Sequence, residues 1–405
     1  MKIAIIGAGV VGVTTAYMLA KSGHEVSVFD REPRAAMESS FANGGQLSYG
    51  FASPMGTPSL LGKVPGILLG SDPAFRIPSS LSLNFIRWSM EFLGHCRSKQ
   101  SEQDAQALAA LARQSGVVFK QILTDVSFDF GHRQSNKLIL LKREKDLRET
   151  ESSASAQDRE ILTWQDCLGR EPALSDYRGK VAGGVWISGD EVGDAARFSE
   201  QMVKHCERAF GVRFAFNSDV RDISSRQQGQ RRLSLSSGEE QSFDAIVVCT
   251  GVAGTQLLRR LDIRLPIYPV MGYSLTAPLG ENPPEVAVTD ASSKIVFSRI
   301  GEQIRIAGFA DFGIASEERR RQRVQDLIRT VRTLIPGVAD YSRIQSTWIG
   351  ARPATPSSLP IVQPSKAPGV YLNMGHGMFG WTLSAGAAQS LADIIGPASH
   401  KSCAA

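Results

Sequence analysis

The sequence predicts an α/β protein in which a parallel-sheet, doubly wound unit is interrupted by an α+β insertion built on an antiparallel sheet. Three observations predict it. The chain opens on an apolar strand that runs into a glycine turn and a helix, and strand and helix patterns of the same kind return after residue 189. Between and beyond them, residues 265–276 and 294–309 alternate apolar and polar as antiparallel strands do. At 405 residues the chain also exceeds the size at which one core usually keeps growing, so two domains are expected.

The opening run is Lys2-Ile-Ala-Ile-Ile-Gly7-Ala8-Gly9-Val10-Val11-Gly12. Gly7 allows the tight turn off the strand, Gly9 lets a pyrophosphate approach the backbone, and Gly12 permits close packing of helix on strand. The helix expected over 13–22 points its positive N-terminus at the phosphates and stops at Gly23. The strand Glu25-Val-Ser-Val-Phe-Asp30 then delivers a carboxylate suited to a ribose hydroxyl, with Arg31 beside it. A glycine triplet alone is weak evidence. Strand, triplet, helix and terminal acid together mark a Rossmann-like dinucleotide-binding start.

The rest of the composition narrows the class. Hydrophobic content of 42% with 21% charged residues argues against disorder, and the net charge of +5 fits an anionic ligand or an anionic membrane surface. The positive residues are scattered, which excludes a nucleic-acid stripe. Five cysteines without CxxC spacing suit reduced thiols in a cytosol, and no zinc site is visible. No signal peptide and no run of about 18 apolar residues is found, so a cytoplasmic protein is expected, with peripheral contact at the inner face of the membrane as a further expectation.

Residues 38–48 form a small-residue loop carrying Ser39, Ser40, Asn43, Gly44, Gly45, Gln46 and Leu47, whose hydroxyls and amides suit a flat polar ring. Pro54, Pro58, Pro65, Pro73 and Pro78 make residues 53–80 an irregular excursion, with apolar Leu60, Leu61 and 67–69 between them. Its helical continuation, 81–97, mixes Phe85, Ile86, Trp88, Met90, Phe92 and Leu93 with Arg87 and Arg97, and reads either as buried or as lying on a membrane surface. Further along are a helix over 101–123, a strand Lys137–Leu141, a charged helix from Lys145 and a strand over 184–187. Asp194 caps a helix carrying Phe198, Met202, Cys206 and Phe210. Strands over 212–216 and 219–223 precede a polar hairpin at 227–230. A buried strand over 243–251 then ends in Thr250-Gly251, as expected beside a cofactor. A helix over 317–334, a strand over 369–372 and a last helix over 383–395 complete the chain, with Cys403 on the tail.

The chain resembles the FAD-dependent amine and amino-acid oxidoreductases, the group containing D-amino-acid oxidase, glycine oxidase and sarcosine oxidase, and above all the bacterial D-amino acid dehydrogenase small subunits. Besides the glycine turn, the likeness is carried by Ser40-Phe-Ala-Asn-Gly-Gly-Gln46, the run Tyr49 to Pro54, Gly189-Asp-Glu-x-Gly-Asp194, Tyr268-Pro-x-x-Gly-Tyr-Ser274, Gly350-x-Arg-Pro-x-Thr-Pro356 and Gly375-His-Gly-x-x-Gly-Trp-Thr382. Two departures leave the substrate open: Ser357-Ser358 replaces the family's Asp-Gly, and Asn43-Gly44-Gly45 its Asn-Ala-Gly.

The resemblance implies a Rossmann-like FAD-binding domain over 1–56, 190–262 and 346–405 with an inserted antiparallel-sheet α+β substrate domain over 57–189 and 263–345. It implies that Ser39, Ser40, Asn43, Gly44, Gly45 and Gln46 flank the isoalloxazine and ribityl chain with Leu47 also at the cofactor, that Val220 meets adenine through its backbone, and that Gly375, His376, Gly377, Met378, Gly380, Trp381 and Thr382 lie near flavin O2. A fixed guanidinium is the natural partner of an α-carboxylate, and Arg352, biased to extended backbone by Pro353, is the candidate; in the resembling oxidases an arginine at this motif holds that group. Tyr273 is a second candidate for the carboxylate or for a lid hydroxyl, and His376 either tunes the flavin or makes a plain hydrogen bond. Tyr49 and Tyr268 are weaker candidates, and His132 and Trp348 are read as packing residues.

The implied reaction is oxidative deamination of D-amino acids by hydride transfer from Cα to flavin N5, with no general base assigned and electrons passed to a quinone or another non-oxygen acceptor. D-Hydroxyproline dehydrogenation and a glycine- or sarcosine-type oxidase using dioxygen stay open. So does an electron-transfer flavoprotein subunit of a larger complex; an NAD-dependent enzyme would purify colourless.

Overall fold

A computed structural model describes residues 1–398 apart from 63, 69, 71, 79–81, 153–158 and 226–229. The expected hairpin at 227–230, the start of the helix at Leu81, Leu69 and Cys403 lie wholly or mainly outside the described residues. Strand β1 (Lys2–Ile6) pairs in parallel with β2 (Glu25–Phe29) on one side and with Ala245–Val248 on the other. Arg213–Ala215 and Val370–Met374 extend this sheet in parallel, and antiparallel Ile361–Pro364 closes it at six strands. β1 is buried on both faces, which is why it reads as a continuous apolar run. Helix α1 (Val10–Lys21) covers one face together with the helices Ala195–Phe210 and Gly380–Ile395, while Ile223, Leu233 and Phe243 of a small three-stranded sheet cover the other. Asp194 caps its helix as expected, accepting the N–H groups of Ala196 and Arg197.

The second sheet has nine strands and is mostly antiparallel. Its order is Ser346–Ala354, Tyr268–Pro278, Gln303–Phe312, Ile295–Ile300, Ala287–Asp290, Lys137–Leu141, Gly183–Ile187 and Arg159–Thr163, with Phe75–Arg76 beside Gln303–Phe312. Its two parallel pairings are Ala287–Asp290 with Lys137–Leu141 and the short Phe75–Arg76 strand with Gln303–Phe312. The helix Glu317–Leu334 packs Leu327 and Val331 against Leu275 and Ile306 of this sheet. The alternation over 294–309 resolves into a hairpin that turns at Gly301, where φ is +60°.

Two segments cross the expected domain division. Ser346–Ala354 pairs residue by residue with Tyr268–Pro278, so it belongs to the second sheet and not with the rest of 346–405. The helix Ser98–Asp125, expected in the insertion, buries Phe119 and Ile122 in the same core as α1, with Phe119 edge-on to Trp381 at 5.3 Å. The second exchange follows from patterning, because the helix has one apolar face and the α1 core offers the surface to cover it.

Candidate active site

A cavity of about 2460 Å³ runs between the two sheets. Of the residues expected to hold the cofactor or the substrate, Ala8, Gly12 and Leu47 and the weaker candidates Tyr49 and Tyr268 do not line it, while the others do, among them Arg352, Tyr273 and His376. At the turn, a Cβ on Gly12 would meet Gly7 O at 1.9 Å, so packing alone requires that glycine. A Cβ on Gly9 would meet only Ser40 Oγ, at 3.4 Å, so the bare backbone there faces the cavity. The Asp30 carboxylate accepts the Ala8 N–H at 2.5 Å and the Glu32 N–H at 2.9 Å, tying the turn to the end of β2; its burial raises its pKa.

The second sheet holds the 42–47 loop by its carbonyls. Ser274 Oγ donates to Ala42 O and Ser298 Oγ to Gly44 O, each at 2.7 Å, and Arg305 Nη1 donates to Asn43 O at 3.2 Å. Arg305 is buried and paired with Asp194 at 3.0 Å, which fixes it against both halves of the molecule. Gln46–Leu47 also pairs with Glu191–Val192. With its carbonyls engaged behind it, the loop presents its other face to the cavity.

Arg352 leaves the edge strand and lies across Gly272, where a Cβ would stand 2.2 Å from its Nη2. Nη1 donates to Phe309 O at 2.8 Å, and no carboxylate among the described residues pairs with the guanidinium. Burial lowers its pKa and nearby Asp311 raises it, so an arginine that stays ionised is held with donors to spare. Phe309 sits at φ +62° where the Tyr268–Pro278 and Gln303–Phe312 pairing shifts register, a conformation that costs about 1–3 kcal/mol in a non-glycine residue. Tyr273 does not offer its hydroxyl to a ligand: it is 1% exposed and donates to Asp311 Oδ2 at 2.9 Å. Arg323 grips the same carboxylate with two bonds of 2.8 and 2.9 Å. The expected carboxylate contact of Tyr273 gives way to a supporting position in this network.

His376 is buried, its Nε2 has no hydrogen-bond partner, and desolvation pushes its pKa down to about 4. Gln46 Nε2, Thr250 Oγ1 and Asn373 Oδ1 are likewise buried without partners on residues that line the cavity. Four orphaned polar atoms around an open glycine turn are what a large polar cofactor would satisfy, so the residues present fit FAD. His132, read as packing, pairs with Glu191 at 2.8 Å.

Sequence reasoning passed over Gly272, the Asp311–Arg323 pair and Lys137. The last is a buried lysine whose Nζ donates to Ser48 Oγ at 2.8 Å and whose pKa burial lowers. Its signal was a lysine heading the otherwise apolar strand Lys137–Leu141.

Comparisons with known proteins bear on the family and the fold. The chain is 35% identical to the D-amino acid dehydrogenase of Rhizobium johnstonii and to D-amino acid dehydrogenase 2 of Ralstonia nicotianae, each alignment covering 98% of this chain and 96% of the relative. Among solved structures it shares its fold with the glycine oxidase of Geobacillus kaustophilus (TM-score 0.71, 19% identity, 97% of this chain and 94% of that one). The L-proline dehydrogenase of P. horikoshii is similar in fold too (TM-score 0.71, 16% identity, 97% and 92%). The model of the family described as FAD dependent oxidoreductase matches residues 2–394, and the chain belongs to that family.

Proposed function

We propose that the protein oxidatively deaminates D-amino acids to 2-oxo acids and ammonia and passes the electrons to a quinone or another acceptor that is not dioxygen. The observation that carries this reading is Arg352, a guanidinium without a carboxylate partner on the wall of the cavity that fits FAD. The names of the relatives supply the stereochemistry of the substrate.

Bound FAD would supply the hydride acceptor. Gly7 to Val11 and the N-terminus of α1 would hold its phosphates, residues 39–46 and 375–382 its ring system, and the Val220 backbone its adenine. Arg352 binds the α-carboxylate through two charge-assisted bonds, and Phe309 O together with the open space over Gly272 sets the plane of its fork. The Tyr273–Asp311–Arg323 network keeps the adjoining strand rigid. His376, neutral at physiological pH, presents Nε2 as a hydrogen-bonding atom without adding a charge. Positioning of this kind supplies much of the acceleration when a neutral amine is oxidised, and no general base is assigned.

The test is anaerobic bleaching of the purified yellow protein with D- and L-amino acids, glycine, sarcosine and hydroxyproline isomers, followed by air. Bleaching by D-isomers with slow recovery in air is expected. Fast recovery would make the protein an oxidase. No bleaching by any of them would leave the electron-transfer subunit as the reading.

A further inference from the structure

The cavity has a second cationic end. Lys137 and Arg159 lie on different strands, yet both stand opposite Ile187 of the strand between them, in antiparallel register on either side. Opposed residues of antiparallel neighbours point to the same face, so the two cations flank Ile187 about two strand spacings, or about 10 Å, apart. The chain segment 48–51 crosses over Ile187 between them; a Cβ on Gly50 would meet Ile187 Cγ2 at 2.5 Å. Both cations line the cavity.

Neither has an ion-pair partner among the described residues. Lys137 uses one of its three donors, on Ser48 Oγ at 2.8 Å. Arg159 lies over the Phe51 ring at 4.6 Å and reaches Gly50 O only at 3.4 Å. Asp190 is the buried carboxylate whose charge both cations feel, yet it forms an ion pair with neither: its Oδ1 accepts the Gly50 N–H at 2.8 Å and its Oδ2 has no hydrogen-bond partner, so the pair of cations keeps a net positive charge. Glu102, Gln106 and Arg113, which are exposed on the helix Ser98–Asp125, also line the cavity, so this chamber opens to solvent along that helix. Two cations that share one unpaired carboxylate charge and form no ion pair of their own match a carboxylate ligand.

We propose that Lys137 and Arg159 form a carboxylate-binding subsite in this cavity, separate from the one at Arg352. Four strands lie between the strand of Arg352 and that of Lys137, about 24 Å measured along the sheet. A short amino acid does not span that distance. The carboxylate therefore comes from a second small molecule, such as substrate arriving or 2-oxo acid leaving, or from the far end of an elongated dicarboxylate. Only this choice of source rests on the amino-acid reading above; the subsite itself rests on the two cations.

The experiment is calorimetric titration of the FAD-loaded protein with pyruvate and with straight-chain dicarboxylates of increasing length. Wild type is expected to bind two pyruvates. Lys137→Met with Arg159→Met should weaken one of them about 10- to 100-fold, Arg352→Met should weaken the other, and Arg159→Lys should keep most of the first. A dicarboxylate that binds one to one and weakens in both variants identifies an elongated ligand; two independent pyruvates identify separate molecules. One pyruvate site that Arg352→Met abolishes and the double variant leaves untouched overturns the proposal. So does a Lys137→Met protein that folds but purifies without flavin while Arg159→Met binds pyruvate like wild type, since Lys137 would then serve the cofactor. Flavin content and Tm of each variant report folding. Failure of the deamination reading would show only as absent bleaching and leave these titrations readable.

Discussion

Arg352 and Gly272 act as a unit, and their geometry makes a coupled prediction. Replacing Arg352 by Lys keeps a charge but loses the planar fork, so kcat/KM toward D-amino acids should fall about 10- to 100-fold, roughly 1.5–3 kcal/mol, with flavin content unchanged. Gly272→Ala puts a methyl 2.2 Å from Nη2, and because the guanidinium is the far end of a flexible side chain it swings away and leaves the fold intact. The alanine should therefore lower kcat/KM in wild type and have almost no effect in Arg352→Met; equal effects in both would mean Gly272 acts elsewhere. His376 makes a second prediction at this scale, with its sign set by a folded pKa of about 4 against 6.5 for the free side chain. The unfolded chain takes up a proton as pH falls through 6.5 while the folded chain resists until about 4. The stability this group contributes is present above pH 6.5 and lost on acidification. Between pH 7 and pH 5 the loss is about 2 kcal/mol, and His376→Asn should remove it, seen as a smaller difference between urea unfolding midpoints at the two pH values.

At the scale of elements, the glycine turn separates a folding requirement from a ligand requirement. Gly12→Ala collides with Gly7 O at 1.9 Å, backbone against helix, and should yield insoluble or strongly destabilised protein. Gly9→Ala meets only Ser40 Oγ at 3.4 Å and should fold with a Tm near that of wild-type apoprotein, yet bind FAD at least about 10-fold more weakly. The ratio of flavin to protein absorbance after dialysis distinguishes the two. This turn was fully legible in the sequence because its glycines, strand and helix are contiguous, and Lys137–Leu141 and Glu317–Leu334 were legible for the same local reason. What escaped was non-local. The bulge that puts Phe309 at φ +62° arises only when two strands meet out of register, and Asp311 and Arg323 become partners only once strand and helix are packed. Tyr273 looked available in the sequence because nothing there showed that its hydroxyl would donate to Asp311. Lys137 and Arg159 become neighbours only through Ile187.

Across the whole molecule, the proposed use of an acceptor other than dioxygen makes the helix Leu83–His95 the face to test. Its inner face is spent: Phe85, Trp88 and Phe92 pack around Tyr268 and Phe312, and Trp88 Nε1 donates to Ala354 O at 3.0 Å. Its outer face carries Leu83, Ile86, Met90 and Leu93, exposed by 83, 40, 63 and 40%, at the spacing of one helical stripe. Exposed Arg87 on this helix and exposed Arg97 and Lys99 just after it outweigh exposed Glu91, so the occupant proposed for both the apolar and the charged parts is an anionic lipid surface. No helix among the described residues is long and apolar enough to cross a membrane, so the contact tested is one at the surface. A quinone dissolved in that bilayer would then be brought to the protein without a bound carrier. Wild-type protein should co-sediment with vesicles containing anionic lipid and less so as salt rises, since the basic residues are screened at high ionic strength. Leu83→Ser with Met90→Ser should abolish sedimentation and lower turnover with a membrane quinone, while turnover with a soluble dye stays at the wild-type rate because neither residue touches the cavity. If the double variant sediments as wild type does, the stripe is not the docking face.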